Sequence, residues 1–123
     1  MERSKEMMKL AYQALDDKKG VNITVINISE VTVIADYFLI AHGENVNQVQ
    51  AMADAVQEAL EKNGYPCRQG EGYMSGNWIL LDFGEIVVHI FSREERRFYD
   101  LERIWRDGKI VDAKELKSGE AFE

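Results

Sequence analysis

The chain has 123 residues and a formal net charge of −7, from 15 basic and 22 acidic side chains. Hydrophobic residues make up 46% and charged residues 30%, which suits one globular domain and excludes wholesale disorder. The acidic balance opposes tight binding to bare nucleic acid, and no apolar run approaches the ~18 residues of a membrane span.

Ser4 to Asp16 reads as a helix capped by Ser4, with Met7, Met8, Leu10, Ala11, Ala14 and Leu15 as its apolar stripe. Asp16 to Gly20 is a polar, glycine-terminated stop. Val21 to Ile28 is rich in β-branched residues and reads as a strand, and Asp36 to Ala41 as a second, stopping at His42-Gly43. Asn45 opens the clearest helix as N-cap, with Gln48 completing a variant capping box. Its stripe is Val46, Val49, Ala53, Val56 and Leu60, widened by Met52 and Ala59, and Asn63-Gly64-Tyr65-Pro66 stops it. Arg68 to Gly72 reads as a short edge strand and Tyr73 to Asn77 as a loop. Trp78 to Phe83 and Ile86 to Phe91 flank Gly84-Glu85, the pattern of a hairpin with a type II′ turn. Ser92 to Glu95 is a capping box that opens a helix to about Arg106, with Phe98, Leu101, Ile104 and Trp105 on its buried side. The domain is thus read as residues 1–107, and residues 108–123 as a mobile tail. This order predicts an α/β fold, a mixed β-sheet with flanking helices.

A two-residue turn fixes the hairpin register. Trp78 faces Phe91, Leu80 faces His89, and Asp82 faces Val87. One face then carries Ile79, Leu81, Phe83, Ile86, Val88 and Ile90, all apolar, and reads as core. The other carries Trp78, Leu80, Asp82, Val87, His89 and Phe91. The plain interpretation of this second face is a sheet surface covered by a helix. The sharper one is a partner-binding surface with aromatic anchors and a few polar groups for specificity.

Catalytic and cofactor patterns are sparse. Asp36, Glu71, Asp82 and Glu85 could approach one sheet end and hold magnesium for nucleotidyl transfer, but solvated carboxylates at strand ends are the simpler account. A phosphate loop of the G-x-x-x-x-G-K type is absent. His42, His89 and Cys67 are the soft metal ligands, and none are paired at zinc spacing. No cofactor is expected. The lone Cys67 has no internal disulfide partner and reads as a plain thiol. With a charged N-terminus unlike a signal peptide, it points to a reducing cytoplasm. Arg93, Arg96, Arg97, Arg103 and Arg106 make a basic helix side that Glu94, Glu95, Asp100 and Glu102 nearly offset, a salt-bridged solvent face with RNA phosphate binding as the lesser alternative.

Three ordered segments carry a family resemblance: Glu71-Gly72, the whole run from Trp78 to Phe91, and Arg97 to Trp105. Together they resemble the ribosomal silencing factor family, also called Iojap, and Asp36 to Gly43 matches it more loosely. The likeness spans about residues 5–107. It implies a fold related to nucleotidyltransferases without their catalytic equipment, so not an enzyme. It implies binding to the large ribosomal subunit through ribosomal protein L-fourteen, which blocks joining of the small subunit and represses translation. It also suggests a homodimer. Two positions depart from the family pattern: Asn45 stands where a Ser is usual and Asn47 where an Arg is usual. Asn45 still caps, whereas Asn47 loses a charge. The missing Ser also removes the Gly-Ser pair of active nucleotidyltransferases. The resemblance and the hairpin register meet on one residue set: Trp78 as anchor, Leu80 as added apolar area, His89 on the same face, and Asp82, Tyr99 and Glu102 as polar contacts. A metal-dependent nucleotidyltransferase-like or nucleotide-binding enzyme is the runner-up.

Overall fold

The computed structural model describes residues 2–94 and 108–111. Within them the chain forms α1 (Glu2–Asp17), β1 (Val21–Asn27), β2 (Tyr37–Gly43), α2 (Val46–Lys62), β3 (Gln69–Glu71), β4 (Trp78–Asp82), β5 (Ile86–Ser92) and β6 (Lys109–Ile110). The strands make one six-stranded sheet in the order β3-β4-β5-β2-β1-β6. β2 and β5 pair in parallel at its centre, and the other neighbouring pairs are antiparallel. The mixed α/β architecture is the one the sequence predicts.

The two faces of the sheet are built differently. Alternation sends Val25, Leu39, Ala41, Ile79, Leu81, Val88 and Ile90 to one side, where they meet Met7, Met8 and Leu15 of α1 and Met52, Val56 and Leu60 of α2. Each of these large side chains, fully buried, contributes roughly 1.5–3 kcal/mol. The opposite side gathers Ile26, Ile28, Ala35, Phe38, Ile40, Val87 and Phe91, and no residue of α1 or α2 joins them. β2 serves both sides, and all its residues are buried.

Several boundaries differ from the sequence expectation. Ser4 is not a cap: α1 begins at Glu2, and Ser4 is fully buried in its first turns. The left-handed residue that stops α1 is Lys19, at φ +62°, rather than Gly20. Gly20 answers a close approach instead, since a Cβ there would lie 2.8 Å from Met52 Cε and 3.0 Å from the Leu15 carbonyl. β2 runs on through His42 and Gly43, because the parallel ladder with β5 continues to Gly43 opposite Ser92. The sheet also takes in Lys109–Ile110, placed by the sequence in a tail; this pair adds to the β1 edge opposite Ile26 and Asn27. The rest of that tail, 112–123, lies outside the described residues, as does the helix expected after Ser92 from residue 95 to 107.

The start of α2 follows its sequence. Asn45 accepts from the Gln48 N–H at 2.8 Å, the N-cap bond. Gln48 reaches back to the Glu44 N–H at 2.7 Å, one residue earlier than a standard capping box. Its amide also donates to the carbonyls of Lys18 and Lys19, tying the head of α2 to the tail of α1. Gly64, at φ +88°, supplies the left-handed stop.

Candidate functional site

The β4–β5 hairpin has the predicted register: Trp78 opposite Phe91, Ile79 opposite Ile90, Leu80 opposite His89, Leu81 opposite Val88 and Asp82 opposite Val87. The turn closes with the Phe83 N–H donating to the Ile86 carbonyl at 3.0 Å, and Gly84 takes φ +91°. A positive φ at the first central residue is what a type II′ turn requires. Asp82 reinforces the turn by accepting from the Gly84 N–H at 2.7 Å.

Trp78, Leu80 and Asp82 therefore form a row on one face of β4, about 13 Å long at strand rise. All three are half-buried. Trp78 and Leu80 rest on the second core cluster, the side that holds neither α1 nor α2. His89, on the neighbouring strand, is only 5% exposed. It sits inside an aromatic group: its ring centroid is 5.0 Å from Phe38, 5.9 Å from Trp78 and 6.2 Å from Phe91, the last pair stacked. Trp78 and Phe91 lie 5.0 Å apart. The Trp78 Nε1–H donates to His89 Nδ1 at 3.1 Å. Burial pushes the His89 imidazole down from 6.5 to about 4, so it is neutral at physiological pH. With Nδ1 accepting, its proton is on Nε2. That buried N–H meets no hydrogen-bond partner among the described residues.

The structure thus brings Trp78, Leu80, Asp82 and His89 to one face. Tyr99 and Glu102 lie outside the described residues, as do Trp105 and every arginine of that basic helix side except Arg93. Arg93 pairs with Glu44 at 3.7 Å between exposed side chains, a contact of little stability value. Sequence reasoning missed two contributions to the face. Ile26 of β1, Ile28 just beyond it, and Phe38 and Ile40 of β2 extend it; their two-residue spacing was the available signal. The Trp78–His89 bond joins a diagonal cross-strand pair, which the register brings near each other and two rotamers connect.

Three of the four carboxylates proposed for magnesium are engaged separately. Asp82 holds the turn, Glu85 pairs with Arg3 at 3.0 Å, and Glu71 accepts from Gln69 at 3.5 Å. Among the described residues, no three of His, Cys, Asp and Glu come together as a metal site. No helix among them is long and apolar enough to cross a membrane. Cys67 is half-buried, with its Sγ 3.4 Å from the Gln69 carbonyl.

The model of the family described as ribosomal silencing factor during starvation matches residues 1–122. The chain belongs to this family. A ribosomal silencing factor RsfS of Halalkalibacterium halodurans is 38% identical over 109 residues, covering 89% of this chain and 93% of the relative. One from Bacillus subtilis is 38% identical over 108 residues, covering 88% and 92%. The chloroplastic Iojap protein of Arabidopsis thaliana is 32% identical over 105 residues, covering 85% of this chain and 43% of that longer protein. The fold is similar to a crystal structure from Bacillus halodurans, with TM-score 0.78 and 36% identity over 87% of this chain and 97% of the other. A Chromobacterium violaceum protein superimposes at TM-score 0.81 with 34% identity, covering 96% and 97%. The family expectation from the sequence and the α/β fold expectation both hold.

Proposed function

We propose that this protein binds the large ribosomal subunit through ribosomal protein L-fourteen and blocks joining of the small subunit, repressing translation. Family membership supports the ribosomal setting. The observation that carries the residue assignment is the half-buried Trp78, held by His89 on the sheet face away from α1 and α2. Trp78 anchors the contact in this reading. Leu80 extends its apolar area, and Asp82, Tyr99 and Glu102 supply polar specificity. His89 belongs to the same face from beneath. The net charge of −7 favours a basic protein surface over bare RNA. The factor works without a cofactor or catalysis in the cytoplasm, and forms a homodimer.

The test is sedimentation of the purified protein with isolated large subunits, small subunits and joined ribosomes, followed by addition of small subunits to pre-bound large ones. Binding to large subunits with joining suppressed is expected. Trp78→Ala should keep the fold and weaken binding by roughly 30-fold or more. A folded Trp78→Ala variant that binds normally would remove the anchor assignment. No specific observation favours the nucleotidyltransferase alternative. Thermal stabilisation by nucleotides with magnesium would revive it.

A further inference from the structure

His89 is an uneconomical choice for a packed strand position. It is only 5% exposed, it lies among Phe38, Trp78 and Phe91, and one of its two ring nitrogens meets no partner among the described residues. An apolar aromatic residue would fill the same space with no orphaned N–H. What an apolar residue could not do is accept the Trp78 Nε1–H at 3.1 Å. The imidazole therefore trades one unsatisfied donor for one fixed indole.

Fixing that indole matters for its position. Trp78 is half-buried at the start of a strand, on a face that α1 and α2 do not cover. A large side chain that is only half-buried has alternative rotamers, and any partner must absorb the entropy of selecting one. The ring of Phe91, 5.0 Å away at 31°, and His89 Nδ1, which takes its N–H, both restrict it. Phe91 limits how the indole tilts, while the directional bond sets which edge turns inward.

We infer that His89 is a positioning residue, which holds the Trp78 indole in its binding orientation by accepting its N–H and so keeps that polar edge inward and the apolar flank outward. This rests on the reading of Trp78 as the anchor of the ribosomal contact. His89 itself reaches the partner only through Trp78.

The test uses the full chain labelled with nitrogen-15, with the Trp78 indole resonance assigned by its loss in Trp78→Phe. His89→Phe removes the acceptor and keeps the ring. The Trp78 indole resonance should move and its proton exchange should quicken, and affinity for isolated large subunits should fall about tenfold. His89→Asn, whose side-chain oxygen can occupy the place of Nδ1, should recover part of both effects and serves as well if the phenylalanine variant does not fold. In the Trp78→Phe background there is no N–H to accept, so His89→Phe should add little further loss of affinity. An unmoved indole resonance, or a resonance that moves while affinity stays, would overturn the inference; so would fully additive losses in the double variant. Wild-type protein that fails to sediment with large subunits would instead sink the ribosomal reading, and the indole resonance of the free protein would still decide whether His89 positions Trp78.

Discussion

At the scale of single residues, His89 couples the face to pH. A free imidazole takes up its proton near 6.5, and burial lowers this to about 4 in the folded chain. Between those values the unfolded chain holds a proton that the folded chain lacks. The contribution of His89 to stability is therefore complete above pH 6.5 and drains away as pH falls toward 4. At pH 5 the loss is about 2 kcal/mol. Melting temperature measured from pH 7 down to pH 5 should fall in the wild type and fall less in His89→Phe. Gly72 is a second sensitive position, at φ +83°, where a Cβ would collide with the Trp78 carbonyl. Gly72→Ala should destabilise by about 2 kcal/mol or more, read as a lower denaturation midpoint, because the backbone angle and the collision both oppose it. The hairpin residues of the face were legible in the sequence, since a two-residue turn leaves one register. The bond between Trp78 and His89 was not, because it depends on two rotamers as well as on strand pairing.

At the scale of elements, patterning gave way where a segment is short or where one rule competes with another. Ser4 looks like a cap by residue type, yet it stands in line with Met8, Ala11 and Leu15 at steps of four, three and four. That spacing places it on the buried stripe, and burial prevails. β6 has two residues and no alternation to detect; it exists because the β1 edge offers backbone groups to pair with. β2 outlasts its apolar run because its parallel neighbour continues. At Asn45, by contrast, residue type, spacing and geometry agree. Asn45→Ala should cost about 1 kcal/mol, visible in chemical denaturation, while Asn45→Ser should be nearly neutral.

At the scale of the whole molecule, the sheet separates the helix-side core from the proposed binding face. The helices α1 and α2 pack on one side and the Trp78 face lies on the other. Met52→Ala, in the helix-side core, should cost 2–5 kcal/mol, roughly. At a temperature where the variant remains folded, its affinity for large subunits should stay near the wild-type value, and its effect should add to that of Trp78→Ala. The same sheet has a consequence for how the chain is made. Its central pair joins Tyr37 to Ile86, so α2, β3 and β4 all come between the partners. During synthesis β2 emerges early, apolar on both sides, and waits for a neighbour that is the last of the long strands to appear. Until then its edge is open, and a chain interrupted before Ile86 would offer that edge to other unfinished chains. Safe completion of the fold therefore rests on the late arrival of the very strand that carries His89.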